Sequence, residues 1–240
     1  MGRSIVIAAF SDVHGPRHLQ YLKNSIAAIE QADLVLVAGD IVDKGAPQHC
    51  RLVMDVVRSV YRGPVCAIFG NEEYDEIEKE LRSICSEVLW LKDELVSLEV
   101  KGFSFSIIGT RGVLDEPTAW QRRNIPNIKA IYEQRLKTIV NLLVEAKKRA
   151  RYTILLTHYA PICSTLNGER PSIWTQMGSR RLTEAILRYQ PELVIHGHAH
   201  NSTSTFTQIG ITKVYNVALP TVKGVTSIEL PAKIGLEEFF

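Results

Sequence analysis

Seven side chains of metal-ligand type stand just after short apolar runs in this chain. Asp12 and His14 follow residues 5–10, Asp40 follows 34–38, and Asn71 follows 65–69. His158 comes after 152–157, and His198 and His200 come after 193–196. In an open α/β sheet, ligands sit beyond the carboxyl ends of the strands, so five strand ends converge these donors on one edge. The one-residue gaps in Asp12-Val13-His14 and His198-Ala199-His200 let both side chains of each pair leave an extended backbone on the same side. Carboxylate, amide and imidazole groups gathered in this way are the material of metal-ion chemistry.

The elements that must deliver these groups are legible as patterns. Residues 5–10, 34–38 and 65–69 are mostly apolar, as expected of strands buried on both faces. Helical patterns over 17–30 and 48–61 separate them, the second opened by Pro47. This alternation predicts βαβ units and a parallel sheet. Residues 88–91, 94–100 and 103–109 predict a meander of strands, with Lys101-Gly102 as a tight hairpin turn. An irregular stretch, 110–124, precedes a long helix over 126–149. Strands at 152–157 and 193–196 flank a helix at 179–188, and the tail from Ser202 reads as strand-rich. No repeat, low-complexity segment or linker interrupts the 240 residues. Residues 1–240 are expected to form one domain with two sheets, because donors from Asp12 to His200 must meet.

Composition sets outer bounds. The chain is 45% hydrophobic and 22% charged, and 28 Lys and Arg against 26 Asp and Glu leave a net charge of +2. That argues against a surface that is wholly an electrode for nucleic acid or membrane. Cys50, Cys66, Cys85 and Cys163 are widely spaced, which favours buried thiols over zinc ligation or disulfides. The apolar start, residues 1–10, is too short for a signal peptide and reads as a first strand. No stretch approaches the ~20 apolar residues that span a bilayer. The expected location is cytoplasmic.

Taken in order, Asp12-x-His14, Gly39-Asp40-x-x-Asp43, Gly70-Asn71, Thr157-His158 and Gly197-His198-x-His200 resemble the motifs of the calcineurin-like metallophosphoesterase family over most of the chain. Each motif alone is a common turn; five in order, each after an apolar strand, are specific. The resemblance implies an α/β fold of two mixed sheets sandwiched between helices, and a site for two divalent metal ions. Asp12, His14, Asp40 and His200 would hold the first ion; Asp40 would bridge to the second, completed by Asn71, His158 and His198. Such a donor set suits Mn²⁺ best, with Fe, Zn²⁺ or Ni²⁺ as alternatives. The charge of two such ions exceeds that of the two aspartates and a bridging hydroxide, which leaves a positive site for an anionic ester. The implied activity is hydrolysis of a phosphoester by a metal-bridging hydroxide.

One departure bears on substrate. Most family members carry histidine after the Gly-Asn pair, where it contacts phosphate; here Glu72 stands there, followed by Glu73. Asp43, which usually orients that histidine, is expected to face Glu72 with no cation between them. Either the pair shares a proton and Glu72 serves as the acid, or Glu72 is ionised and paired with Lys44 or Arg111. An anionic Glu72 repels a dianionic monoester more than a monoanionic diester, so a phosphodiester is the favoured substrate. The rival reading is a non-catalytic interaction module on the same fold, as in the family's retromer-subunit relatives.

The remaining candidates carry plainer readings. His18 and His49 are expected at the surface, His196 packed behind the site, and Asn201 in a turn. Arg111, in a loop after a strand, either binds substrate phosphate or is solvated. The run Glu72-Glu73-Tyr74-Asp75-Glu76-Ile77-Glu78 mostly opens a helix, where carboxylates suit the macrodipole. The basic stripe over 121–151 reads as a solvated face, and nucleic acid is not the expected partner. Trp120 and Trp174 fall in the two longest loops of the active edge, to stack a nucleobase or to anchor those loops. The expected partner is a small phosphorylated or nucleotide-like substrate. No G-x-S-x-G elbow, P-loop or H-E-x-x-H helix supports another hydrolase chemistry.

Overall fold

The computed structural model describes residues 4–231; the parts of the first-strand and tail readings at 1–3 and 232–240 lie outside them. The first sheet contains β1 (Ser4–Phe10), β2 (Leu34–Val37), β3 (Val65–Ile68), β4 (Leu89–Leu91) and β13 (Thr226–Pro231), in the order β13-β1-β2-β3-β4. Strands β1 to β4 are parallel and β13 runs antiparallel to β1. The second sheet contains β5 (Glu94–Val100), β6 (Phe103–Thr110), β7 (Tyr152–Thr157), β10 (Leu193–His196), β11 (Phe206–Ile209) and β12 (Thr212–Asn216). Its order is β11-β12-β10-β7-β6-β5, with antiparallel pairs at both edges and parallel pairs within. A separate ribbon pairs β8 (Ala160–Pro161) with β9 (Gly178–Ser179).

Side chains alternate between the faces of a strand, and here both faces are apolar. Along β1, Ile5, Ile7 and Ala9 enter a core between the sheets, together with Phe105, Ile107, Ile154 and Ile195 of the second sheet. Ala8 and Phe10 point the other way, onto helices α1 (Leu19–Asn24), α2 (Ile26–Glu30), α3 (Gln48–Val60) and α4 (Glu78–Ile84). In α3, Cys50, Val53, Met54 and Val57 keep the spacing of one helical face and all are buried. The outer face of the second sheet, at Ile108, Leu155 and Val194, is covered by α6 (Ile128–Arg149) and α7 (Arg180–Tyr189). Two short helices complete the chain, α5 (Ala119–Asn124) and α8 (Leu219–Val222). The result is four layers: helix, sheet, sheet, helix.

Three local expectations change. The helix expected over 17–30 is two, because Ser25 turns the chain between them: its hydroxyl donates to the Tyr21 carbonyl at 2.8 Å and accepts from the Val225 amide at 2.9 Å. The meander is split, since β4 lies beside β3 in the first sheet while β5 and β6 belong to the second. The chain crosses sheets at Lys92-Asp93, where Asp93 has a φ of 55°. The stretch at 110–124 ends in α5, closed by a capping box in which Thr118 and Gln121 exchange side-chain and backbone bonds. The hairpin holds as expected: Val100 faces Phe103 across Lys101-Gly102, both at positive φ.

The inter-sheet core predicts where stability resides. Phe105 is fully buried between Phe103 and Tyr152, whereas Leu187 on α7 is 52% exposed. Phe105→Ala is expected to cost roughly 3–5 kcal/mol in urea unfolding, and Leu187→Ala less than about 0.5 kcal/mol. A Phe105→Ala cost below about 1 kcal/mol would contradict this packing.

Candidate metal centre

The donors lie where the strands of both sheets end. The turn after β1 carries Asp12 and His14, the turn after β2 Asp40, and the turn after β3 Asn71 and Glu72. From the second sheet, β7 leads into His158, and β10 into His198 and His200. Asp12, His14, Asp40 and His198 all adopt positive φ, at 56°, 42°, 52° and 69°, so the Asp12/His14 and His198/His200 pairs converge through tight turns and not from the extended backbone expected. Positive φ is uncommon outside glycine and gathers where function demands a particular side-chain direction. Two glycines allow the close approach. A Cβ on Gly70 would stand 2.1 Å from Asp40 Oδ1, and one on Gly197 would stand 2.4 Å from Asp12 Oδ2.

Three groups of three possible donors result among the described residues, two built from the expected ligands and the third from His14, Asp43 and Glu72, so Asp43 and Glu72 do stand near each other. In the first, Asp12, His14 and His200 bring their ligand atoms within 4.8 Å of one another; in the second, Asp40, His158 and His198 do the same. His200 Nε2 is 2.8 Å from Asp12 Oδ1, and Asp12 Oδ2 accepts from the Ser11 hydroxyl at 2.5 Å and the His198 amide at 3.0 Å. Asp40 Oδ2 lies 3.4 Å from His158 Nε2 and 3.7 Å from His14 Nε2, so one carboxylate faces both groups. Asn71 Oδ1 is 3.0 Å from His158 Nε2, whose Nδ1 meets the Ala38 carbonyl at 2.9 Å. All seven residues expected from the sequence are thus brought together.

The buried charges of the site lean on one another. Asp12 and Asp40 are buried. Burial pushes both carboxyls up, but the bond from His200 and the charge of His158 outweigh it for Asp12, and His158 does so for Asp40, holding both below the usual range. Burial presses on His158 and His200 in the opposite sense, yet their carboxylate partners raise both. His198, with burial and the neighbouring His158 against its charged form, is pushed down to about 3, the neutral state of a metal ligand. Both ring nitrogens of His14 are buried with no hydrogen-bond partner. A pair of divalent cations fits this set: it would satisfy His14 Nε2, which faces Asp12 and Asp40, and neutralise the two carboxylates.

The surroundings revise several expectations. Asp43 does have a cation: Arg17 Nη2 lies 2.9 Å from it, and His14 Nδ1 3.9 Å. Glu72 accepts the backbone amide of Lys44 at 2.7 Å, not its ammonium, and Asn71 Nδ2 approaches its other oxygen at 3.4 Å. Arg111 is held by Asp75 at 3.1 Å, Glu78 at 3.5 Å and the Glu73 carbonyl at 2.6 Å, so the acidic run does more than open a helix. His18 and His49 are half-buried, and His18 stands edge-on to His14. Asn201 ties its amide and side chain to the Glu169 carboxylate. Trp174 anchors its loop, donating to the Glu169 carbonyl, while Trp120 is 54% exposed on α5. The sequence reading missed Glu73 as a structural hub: its buried carboxylate accepts the amides of Asp40, Val42 and Gly70. Its one signal was its place at the end of the Gly-Asn motif. Arg17 was missed too, having no motif around it.

Sheets packed face to face between helices, with donors crowded where both sets of strands end, define a metallophosphoesterase fold. The model of the calcineurin-like phosphoesterase family matches residues 5–202, and the chain belongs to that family. Solved structures of similar fold include a phosphopantetheinyl hydrolase from Mycobacterium tuberculosis, with TM-score 0.61, 16% identity, and 91% of this chain and 90% of that one covered. A protein from Thermus thermophilus gives TM-score 0.59 and 17% identity over 94% and 99%. The anchor in the inner membrane complex of Plasmodium gives 0.62 and 15% over 95% and 81%. At these identities the likeness is one of fold. A search of curated proteins finds no match.

His196 stands behind the donors, as expected, and makes a testable contribution. Its Nε2 meets the Thr165 hydroxyl and its Nδ1 the Gly197 carbonyl, both at 2.8 Å. Burial pushes it from the ordinary 6.5 down to about 4. Between these values the unfolded chain takes a proton that the folded one refuses, so stability present above about pH 6.5 is lost as pH falls toward about 4. In His196→Gln, urea midpoints measured from about pH 7 to about pH 4.5 should therefore fall less steeply than in the unaltered protein. An equal slope would remove His196 from the cause.

Proposed function

We propose that the chain is a metal-dependent phosphoesterase that favours phosphodiesters over monoesters. The observation that carries this reading is the placement of both donor groups, joined by Asp40, along one cleft of ≈ 480 Å³. Asp12, His14, Asp40 and His200 would hold one divalent ion, and Asp40, Asn71, His158 and His198 a second; Mn²⁺ is favoured over Fe, Zn²⁺ or Ni²⁺. Such ions, when bound, polarise phosphoryl oxygens and lower the pKa of water to make a nucleophile at neutral pH. The chain's own contribution is to fix the donors: Ser11 and the His198 amide hold the Asp12 carboxylate, and Glu73 holds the loop of Asp40.

Glu72 supports the diester preference. Bonds from the Lys44 amide and Asn71 suit a carboxylate on the cleft wall, which opposes the second charge of a monoester. Asp43 positions Arg17, which lines the same cleft and offers a guanidinium to a phosphoryl oxygen. A cytoplasmic setting belongs to the same proposal, supported by four free thiols, three of them buried. No helix among the described residues is long and apolar enough to cross a membrane.

The test is to load the protein with Mn²⁺ and compare bis(p-nitrophenyl) phosphate with p-nitrophenyl phosphate. Two ions per chain are expected, with faster turnover of the diester. Asp40→Asn should lower turnover by roughly 100-fold or more. Metal stoichiometry near zero, or activity that survives Asp40→Asn, would sink the reading and favour a non-catalytic interaction module. Glu72→Gln should raise the monoester-to-diester ratio about fivefold, the weight of roughly 1 kcal/mol between unit charges. Loss of the basic limb of the pH profile in that variant would instead make Glu72 the acid.

A further inference from the structure

Beside the cleft lies a second cavity of ≈ 330 Å³, at the lower end of the range for small-molecule sites. The two are continuous, since Asn71, Glu72, Thr118, Gln176 and His198 line both. The cavity leads away from the donors toward Trp120 and Tyr74, whose rings are 54% and 38% exposed in their residues, near-parallel at 22°, with centroids 6.4 Å apart. Leu114, Ile125 and the buried Tyr159 form further apolar wall. Trp120 and Tyr74 both line the cavity and remain accessible to an occupant.

The arrangement is preorganised. Tyr74 packs against Gly45, where a Cβ would stand 2.6 Å from the tyrosine ring. Trp120 rides on α5, whose capping box fixes its first turn, and Gln121 Nε2 ties that turn to the Tyr159 hydroxyl at 3.0 Å. Polar groups stand within the apolar wall. The side-chain amide of Gln176, which lines both the cavity and the cleft, makes no hydrogen bond among the described residues. A plain hydrocarbon would leave this amide unmet; a heterocycle with polar edges would satisfy it.

We infer that this cavity receives a nucleobase, carried on one ester arm of the phosphate held in the cleft. The base stacks on Trp120, with Gln176 facing its polar edge. This rests on the phosphoesterase reading for its phosphate, but the ring pocket itself can be read without turnover. It also separates the two tryptophans: Trp120 is a ligand surface, while Trp174 is a loop anchor.

Two measurements test the inference. In the Mn²⁺-loaded protein, kcat/KM for the p-nitrophenyl ester of thymidine 5′-phosphate is compared with that for methyl p-nitrophenyl phosphate, which has the same leaving group. The nucleoside ester should be preferred, and Trp120→Ala should lower that preference about tenfold, the weight of one stacked base; Trp120→Phe should retain most of it. In the absence of added metal, adenosine, which carries no phosphate for Glu72 to oppose, should quench tryptophan fluorescence saturably, and the quench should vanish in Trp120→Ala. An unmoved preference, or no saturable quench, overturns the nucleobase pocket. No turnover of either ester with the quench intact would overturn the phosphoesterase reading and leave the pocket standing.

Discussion

The carboxyl ends of the two sheets are held together by side chains that are also the chemical groups of the site. Asp12 belongs to the first sheet, yet its carboxylate accepts the His198 amide and faces His200 Nε2, both from the second. His158, at the end of a strand in the second sheet, meets the Ala38 carbonyl of the first. The apolar residues between the sheets supply most of the attraction but little direction. These polar contacts supply the direction, and so set where the strand ends stand relative to one another. A change that loosens the sandwich at this edge therefore disperses the donors as well.

Burying two carboxylates beside four histidines is costly unless the charges compensate. The chain meets this partly by itself, through His200 on Asp12 and His158 on Asp40, with Ser11 and the His198 and Glu72 amides filling other positions. What it leaves unmet is informative. His14 has two buried nitrogens without partners, and four donor residues are held at positive φ. Such sites persist where function requires them, and a cation pair is the simplest group that would settle both the charge and His14 Nε2, the nitrogen facing Asp12 and Asp40.

Adjacent residues of the same type have been put to different work. Glu73 is buried and gathers three backbone amides, which joins the turns after β2 and β3. Glu72, one position earlier, stands on the cleft wall. Glu72 turns instead to the Lys44 amide. Arg111 shows the same logic. Asp75 and Glu78 draw its guanidinium toward α4, which makes it part of the cavity's frame.

Much of this was legible in the order of residues. Strand runs, helix periodicity and the hairpin at Lys101-Gly102 follow from local rules, and the seven donors from their types and their positions after apolar runs. Local rules missed what depends on distant partners. The break at Ser25 needs Val225, and the departure of β5 from β4 needs a second sheet to join. Asp12 meets His200 across 188 positions, and Arg111 meets Asp75 across 36. The sequence by itself determined which donors exist, in what order, and that strand ends would carry them. Only the tertiary structure decided that Arg17 serves Asp43, that Glu72 takes the Lys44 amide, and that Trp120 rather than Trp174 opens on the cavity. The physical reason is that apolar periodicity is a property of neighbours along the chain, whereas charge pairing and exposure are properties of neighbours in space.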